Sequence, residues 1–228
     1  MAEIPILDPV EAYRLWADNY PPYAHNPLML AEERAMLSLM PSDLSAYSVL
    51  DAGCGAGRYM LQAARRGARR LLGVDRSLEM LERASGEWAP GLLALGSLEA
   101  LPVGTGWADL VICALAIGHV PSLPRALAEL SRVACPGGKI ICSDLHPVGE
   151  KLGWQRTFRS DGQTYAVRHH FHTLDGWRIA CTKLNLRIIR KLEPRLNPYD
   201  IPPGARFDRS ALETPVALVL EIQTADAR

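Results

Sequence analysis

The chain lacks an excess of charge of either sign. Lysine plus arginine and aspartate plus glutamate number 25 each, so the formal net charge is zero. A nucleic-acid-binding surface ordinarily shows as a basic excess or stripe. The one short basic cluster, Arg65-Arg66-Gly67-Ala68-Arg69-Arg70, reads as the polar end of a helix and the turn after it. Nucleic acid is therefore not expected as a partner. The chain also lacks a Cys-x-x-Cys pair, and its five cysteines (Cys54, Cys113, Cys135, Cys142 and Cys181) are scattered. That pattern points to neither a disulfide framework nor a metal site. No apolar run approaches the ~20 residues that span a bilayer, and Met1 to Val10 lacks the basic-then-apolar profile of a secretory leader. A cytoplasmic location without a membrane partner is the expectation.

What the chain does contain is an ordinary globular composition, 48% apolar and 22% charged over 228 residues. That length buries a core as one domain without staples. From Ser48 onward, apolar runs alternate with helical stretches. Strands are expected at Ser48–Asp51, Arg70–Val74, Leu92–Leu95, Asp109–Ala114 and Lys139–Ser143, with helices at Arg58–Arg66, Leu78–Ala84 and Pro124–Val133. Continuously apolar strands spaced by helices indicate a parallel sheet covered on both faces. Upstream, residues 11–20 read as a short helix stopped by Pro21-Pro22. Asn26–Met40 reads as a second helix, with Asn26 as cap and Pro27 in the first turn. These form an expected helical cap over 1–45 of a single domain spanning 1–228. Downstream, Leu174–Lys183 reads as a helix, while Leu186–Glu193 and Val216–Ile222 can pair as an antiparallel hairpin at the sheet edge.

Asp51 ends the first expected strand and is followed by Gly53-Cys54-Gly55-Ala56-Gly57. Glycine tolerates positive φ and lets a ligand approach the main chain. Such a loop at the carboxyl end of a parallel strand suits a nucleotide-like ligand. The spacing departs from the Gly-x-Gly-x-x-Gly of dinucleotide sites. A carboxylate at position 51 would also repel a pyrophosphate, yet it suits the α-ammonium group of a methionine moiety. Asp75, at the end of the next strand, can accept both ribose hydroxyls. A nicotinamide-dependent oxidoreductase is the weaker alternative.

Several strings then resemble one family. They are Val49-Leu-Asp-Ala-Gly-Cys-Gly-Ala-Gly-Arg-Tyr59, Gly73-Val-Asp-Arg-Ser-Leu-Glu-Met-Leu81, Glu99-Ala-Leu-Pro102, Asp109-Leu-Val111, Ala126-Leu-Ala-Glu-Leu-Ser-Arg-Val133 and Pro136-Gly-Gly-Lys-Ile140. Together, over roughly residues 45–145, they resemble class I S-adenosylmethionine-dependent methyltransferases, in particular the type 11 small-molecule group. The resemblance implies an α/β fold with a seven-stranded Rossmann-like methyltransferase sheet of order 3-2-1-4-5-7-6. Strand 7 is antiparallel and helices cover both faces.

It also implies S-adenosylmethionine as cofactor and S-adenosylhomocysteine as product. The implied cofactor-binding residues are Asp51, Gly53, Cys54, Gly55 and Gly57, then Asp75, Arg76 and Met80, with Ala114 and His119 after the fourth strand. The family's usual acid for the adenine amino group is replaced by Ser97, whose hydroxyl makes a hydrogen bond without charge assistance. Leu98 can offer its backbone N–H to the ring. Tyr13, Trp16 and Tyr20 resemble the aromatic segment that covers the cofactor, where a ring face attracts a sulfonium. Ordinary aromatic packing on the domain is the alternative.

The expected activity is in-line methyl transfer to O, N or C of a small-molecule acceptor. Such a reaction needs alignment and exclusion of water, and a base only where the acceptor is protonated. His119 is the candidate base, because histidine titrates near neutrality; a packing role beside the cofactor is the other reading. His146, beyond the fifth strand, is a second catalytic and acceptor-binding candidate. An insertion over 147–173 is expected to form part of an acceptor lid, with Trp154, Tyr165 and His169 facing an aromatic or anionic acceptor. Alternation in Tyr165-Ala-Val-Arg-His-His-Phe-His172 predicts a strand with His170 and His172 on one face. Methylation of RNA or protein, or cofactor binding without catalysis, are the alternatives. A monomer or homodimer is expected.

Overall fold

Strands that are apolar at every position need cover on both sides, because successive side chains point to opposite faces. The structure, a computed structural model, describes residues 4–87, 91–203 and 209–225. Residues 1–3 of the expected N-terminal cap lie outside this set. In chain order the elements are β1 (Ile6–Leu7), α1 (Pro9–Trp16), α2 (Pro27–Leu39), β2 (Ser48–Ala52), α3 (Arg58–Arg65), β3 (Arg70–Asp75), α4 (Leu78–Glu87) and β4 (Leu92–Leu95). They continue with β5 (Ala108–Ala114), α5 (Leu123–Val133), β6 (Ala134–Leu145), α6 (Val148–Lys151), β7 (Arg156–Ser160), β8 (Gln163–Val167), α7 (Leu174–Lys183), β9 (Arg187–Leu192) and β10 (Ala217–Gln223).

Seven strands form one sheet in the order β4-β3-β2-β5-β6-β10-β9. β2 pairs in parallel with β3 and β5, and β5 with β6, whereas β10 runs antiparallel to both β6 and β9. This is the expected 3-2-1-4-5-7-6 order with the seventh strand reversed. The alternation works as the pleat requires. Leu50, Val111 and Ile140 pack under α5 and α7 with Leu127, Leu130 and Trp177. Their chain neighbours Val49, Leu110, Ile112 and Ile141 pack on the other face with Met36 and Leu39 of α2 and Tyr59 of α3. The sheet is thus a wall with a core on each side, and its strand ends are left to carry a site.

Helix ends fall where capping chemistry places them. Asn26 accepts from Met29 N at 2.9 Å and starts α2, as expected. The first helix begins earlier than expected and is shorter. Asp8 caps it by accepting from Val10 N, Pro9 occupies its first turn, and the chain tightens to a 3₁₀ turn at Ala17–Asn19. The fifth strand of the parallel run is longer than expected at both ends, Ala134–Leu145: Ala134 pairs with Ala108 of β5 at its start, and β10 pairs with it through Leu145 at its end.

The stretch after β6 departs most from expectation. Its strand ends at Val167, not His172, because its partner β7 begins at Arg156, which pairs with Val167. Beyond that point no partner strand continues, and His170 N donates to Gly118 O instead. β7 and β8 form a hairpin around Asp161-Gly162, both with positive φ, and β1 joins β8 in parallel to make a small second sheet. That sheet packs on α1 through Ala12, Phe158 and Val167.

Among the described residues, no helix is long and apolar enough to cross a membrane. At Gly73 in β3, an added Cβ would meet Met60 Sδ, Cys54 Sγ at 2.9 Å and Leu93 Cδ2 at 2.9 Å. Gly73→Ala is expected to destabilise the protein by about 1–3 kcal/mol through overpacking, read as a lower urea midpoint at unchanged slope.

Candidate active site

At the carboxyl end of β2 the chain must turn sharply into α3, and it does so through glycines in the left-handed region. Gly53, Gly55 and Gly57 have φ of +75°, +53° and +83°, conformations that glycine adopts without penalty. Space as well as backbone demands glycine at 53, where a Cβ would lie 2.5 Å from Ala116 Cβ. Gly53 N and Cys54 N both donate to Val74 O, which ties the loop to β3.

Two acids flank this loop. Asp75 accepts from Gly55 N at 2.8 Å and from Ser77 N at 2.9 Å. Asp51 is buried, and its Oδ2 has no hydrogen-bond partner among the described residues. Burial pushes the Asp51 carboxyl up from its ordinary 3.8 to about 7, with nearby Arg58 opposing the rise and Asp75 adding to it. Arg58 is itself held by the buried Glu32 at 2.9 Å, and Tyr59 also donates to Glu32, as does Ser143. An unpaired buried carboxylate oxygen is costly unless something completes it.

The loop forms one wall of a cleft of about 890 Å³, its open mouth included. Of the residues expected to hold a cofactor, Tyr13, Tyr20, Asp51, Gly53, Cys54, Gly55, Asp75, Arg76, Met80, Leu98, Ala114 and His119 line it. Gly57 does not; it starts α3. Nor does Ser97, whose hydroxyl accepts from Glu99 N at 3.2 Å. Trp16 also lies outside, stacked on Phe158 and Tyr13, against a second cavity.

At the other end of the cleft, three distant segments meet. His119 Nδ1 lies 3.2 Å from Arg168 O, and Nε2 lies 3.0 Å from Tyr13 Oη. A carbonyl only accepts, so Nδ1 carries the proton and Nε2 presents its lone pair. Tyr13 donates to that lone pair and accepts from Arg156 Nη1 at 2.6 Å. Arg156 Nη1 also reaches Leu115 O at 3.2 Å, from a residue held at φ +52°. Burial, with Arg156 and His169 nearby, holds His119 neutral well below its usual range, and burial pushes the Tyr13 hydroxyl up.

The acceptor-side candidates are not gathered in the cleft. His146 faces away, with Nε2 3.2 Å from Glu193 and Nδ1 accepting from Val148 N. Tyr165 stacks on Phe158 and donates to Gln163. His169 lies behind His119, its ring centroid 5.7 Å away and its Nε2 3.6 Å from Asp144. Trp154 lines the second cavity. From sequence, Arg156 is expected only as one of the aromatic and cationic residues of the insertion, with no site role of its own, yet it lines the cleft. The signal that could have found it is Asp161-Gly162, a favoured two-residue hairpin turn that fixes Arg156 opposite Val167.

The comparisons now bear on this geometry. Residues 50–142 match a family described as a methyltransferase domain. A malonyl-[acyl-carrier protein] O-methyltransferase of Pectobacterium atrosepticum is 37% identical over 153 residues, 59% of this chain and 58% of its own. One from Serratia marcescens is 32% identical over 165 residues, 71% of this chain and 62% of its own. The chain thus spans about 60% of the length of these curated relatives. The fold is shared with an S-adenosylmethionine-dependent methyltransferase of Mesorhizobium loti, with a TM-score of 0.68 over 85% of this chain and 97% of that one at 21% identity. The matched stretch carries the glycine loop, both flanking acids and His119, whereas Tyr13 and Arg156 come from outside it.

The raised Asp51 carboxyl gives a stability test. A group whose folded pKa is raised stabilises most at low pH, and that contribution is lost as pH rises through about 7. At pH ~8 Asp51→Asn is therefore expected to raise the melting temperature of the ligand-free protein by ~4 °C or more. The difference narrows as pH falls from about 7 and vanishes only below the carboxyl's ordinary 3.8, checked by differential scanning fluorimetry.

Proposed function

We propose that this chain is an S-adenosylmethionine-dependent methyltransferase acting on a small acceptor that already carries a carboxylate. The observation that carries the cofactor reading is Asp51, which lines the cleft beside the glycine loop and whose buried Oδ2 has no hydrogen-bond partner among the described residues. An α-ammonium group would complete it with a charge-assisted hydrogen bond. Asp75, Arg76, Met80 and Leu98 all line the cleft, which supports a reading in which Asp75 and Arg76 hold the ribose and Met80 and Leu98 the adenine. Ser97, turned to Glu99, contributes no contact in this reading.

When bound, S-adenosylmethionine supplies an electrophilic methyl carbon, whose C–S bond breaks as the new bond to the acceptor forms, the sulfonium becoming a neutral thioether. The protein's share is to orient the acceptor and keep water away. His119 is poorly placed as a base, since its only lone pair already accepts from Tyr13. A carboxylate acceptor needs no base. Transfer to its oxygen turns an anion into a neutral ester with no proton moved. Arg156 at the mouth of the cluster supplies the matching positive charge. The activity for which the two bacterial relatives are named, O-methylation of a malonyl group on acyl carrier protein, supports an acid as acceptor. A carrier-borne acyl group is the second reading, favoured by those relatives alone.

Isothermal titration with S-adenosylhomocysteine tests the cofactor site. Asp75→Ala is expected to weaken binding at least tenfold, and an unchanged affinity would remove the ribose placement. At saturating S-adenosylmethionine, kcat for a carboxylate acceptor is expected to stay flat from about pH 6 to pH 9. A rate that climbs tenfold per pH unit across that range would point to a base instead.

A further inference from the structure

A second cavity adjoins the cleft and shares two of its walls, Tyr20 and Arg156. It lies between the start of α2, the carboxyl end of β6 and the start of β7. Trp16, Leu28, Met29 and Trp154 give it flat and apolar sides. Arg156 is the only acidic or basic side chain among its described lining residues apart from His25, whose imidazole burial pushes toward the neutral form. The guanidinium is surrounded by protein yet keeps accessible surface, because it stands where the two cavities meet.

The hydrogen bonds of Arg156 leave it incomplete. All its contacts use Nη1, and no carboxylate lies within 4.0 Å of it among the described residues. A guanidinium offers five N–H donors in a planar fork that fits a carboxylate. Nε and Nη2 therefore remain for a ligand, at the seam between an apolar chamber and the cleft. An enclosed, unpaired cation beside apolar walls selects an anion whose remainder is apolar.

We infer that the second cavity binds the body of the acceptor, an apolar, flat-sided carboxylic acid whose carboxylate rests on Arg156 and projects into the cleft. The inference rests on the methyl-transfer reading above and specifies its substrate class. Such an acid is drawn in by charge and by burial of its body, since apolar area removed from water favours binding. Once esterified it loses its attraction to Arg156, which favours release of the product. A small, wholly polar diacid would leave the chamber's aromatic walls unused.

Trp16 and Trp154 make the chamber its own reporter. With S-adenosylhomocysteine present, titration with trans-cinnamate is expected to change the intrinsic tryptophan fluorescence saturably. Leu28→Trp, which fills the chamber, should weaken cinnamate at least tenfold, as should Arg156→Met, while both leave the affinity for S-adenosylhomocysteine within about threefold. Arg156→Lys, which keeps the charge and loses the fork, should recover part of the binding. Cinnamate that fails to bind wild-type protein already saturated with S-adenosylhomocysteine would overturn the inference and leave the cofactor reading standing. Absence of S-adenosylhomocysteine binding would overturn the cofactor reading first. Equal binding of cinnamate by wild type and Leu28→Trp, or malonyl-CoA methylated with a KM that Leu28→Trp does not change, would also overturn it.

Discussion

A carboxylate with one oxygen unpaired, out of water at the end of a parallel strand, is the constraint on which this structure turns. Among the described residues Asp51 has no partner for Oδ2, and its carboxyl is pushed up to about 7 by burial. The surrounding sheet tolerates that cost because it is packed on both faces and does not rely on the strand end for its core. The same burial that penalises the charged carboxylate makes it receptive to a cation, since a pairing in a water-excluded cleft is stronger than one at the surface. Stability and binding are thus opposed at one atom.

The opposite end of the cleft follows a different logic. Tyr13 from α1, His119 from the turn after β5 and Arg156 from β7 meet through hydrogen bonds that fix each other's roles. Arg168 O takes the Nδ1 proton of His119, which leaves Nε2 to accept from Tyr13. This arrangement spends the histidine's lone pair inside the protein and turns the cationic side of the cluster toward the ligand space. A chemistry that needs no proton removal is the one such a cluster serves best. Glu32 plays a comparable part under the loop, where Arg58, Tyr59 and Ser143 all address one buried carboxylate.

Much of the sheet was legible because its signals are local. Apolar runs bounded by turns gave β2 to β5 nearly to the residue, Asn26 marked a helix start, and the helix at Leu174–Lys183 has its expected bounds. The glycine loop and both acids line the cleft as a group because they lie at neighbouring strand ends. The small sheet was less legible. Arg156–Ser160 has one apolar residue, Phe158, and its strand character comes from pairing with β8. Alternation through His172 misled because an apolar-polar pattern cannot say where a partner strand ends. His146 looked well placed at the end of the fifth strand, but β10 continues alongside β6, and the His146 ring turns to Glu193 beside it.

The sequence by itself determined the strands of the parallel sheet and the acid-flanked loop, since periodicity, glycine and a strand-end carboxylate act over a few residues, while the strand order came from the family resemblance. It also determined the kind of cofactor these fit. Only the tertiary structure decided that Arg156 stands beside Tyr13 and His119, and that Tyr165 and His146 do not reach the cleft. Those outcomes depend on which segments are brought together across more than a hundred residues of chain, as with Tyr13 and Arg156, 143 residues apart. Contacts of that range are set by packing of whole elements and leave no trace in the spacing of neighbours.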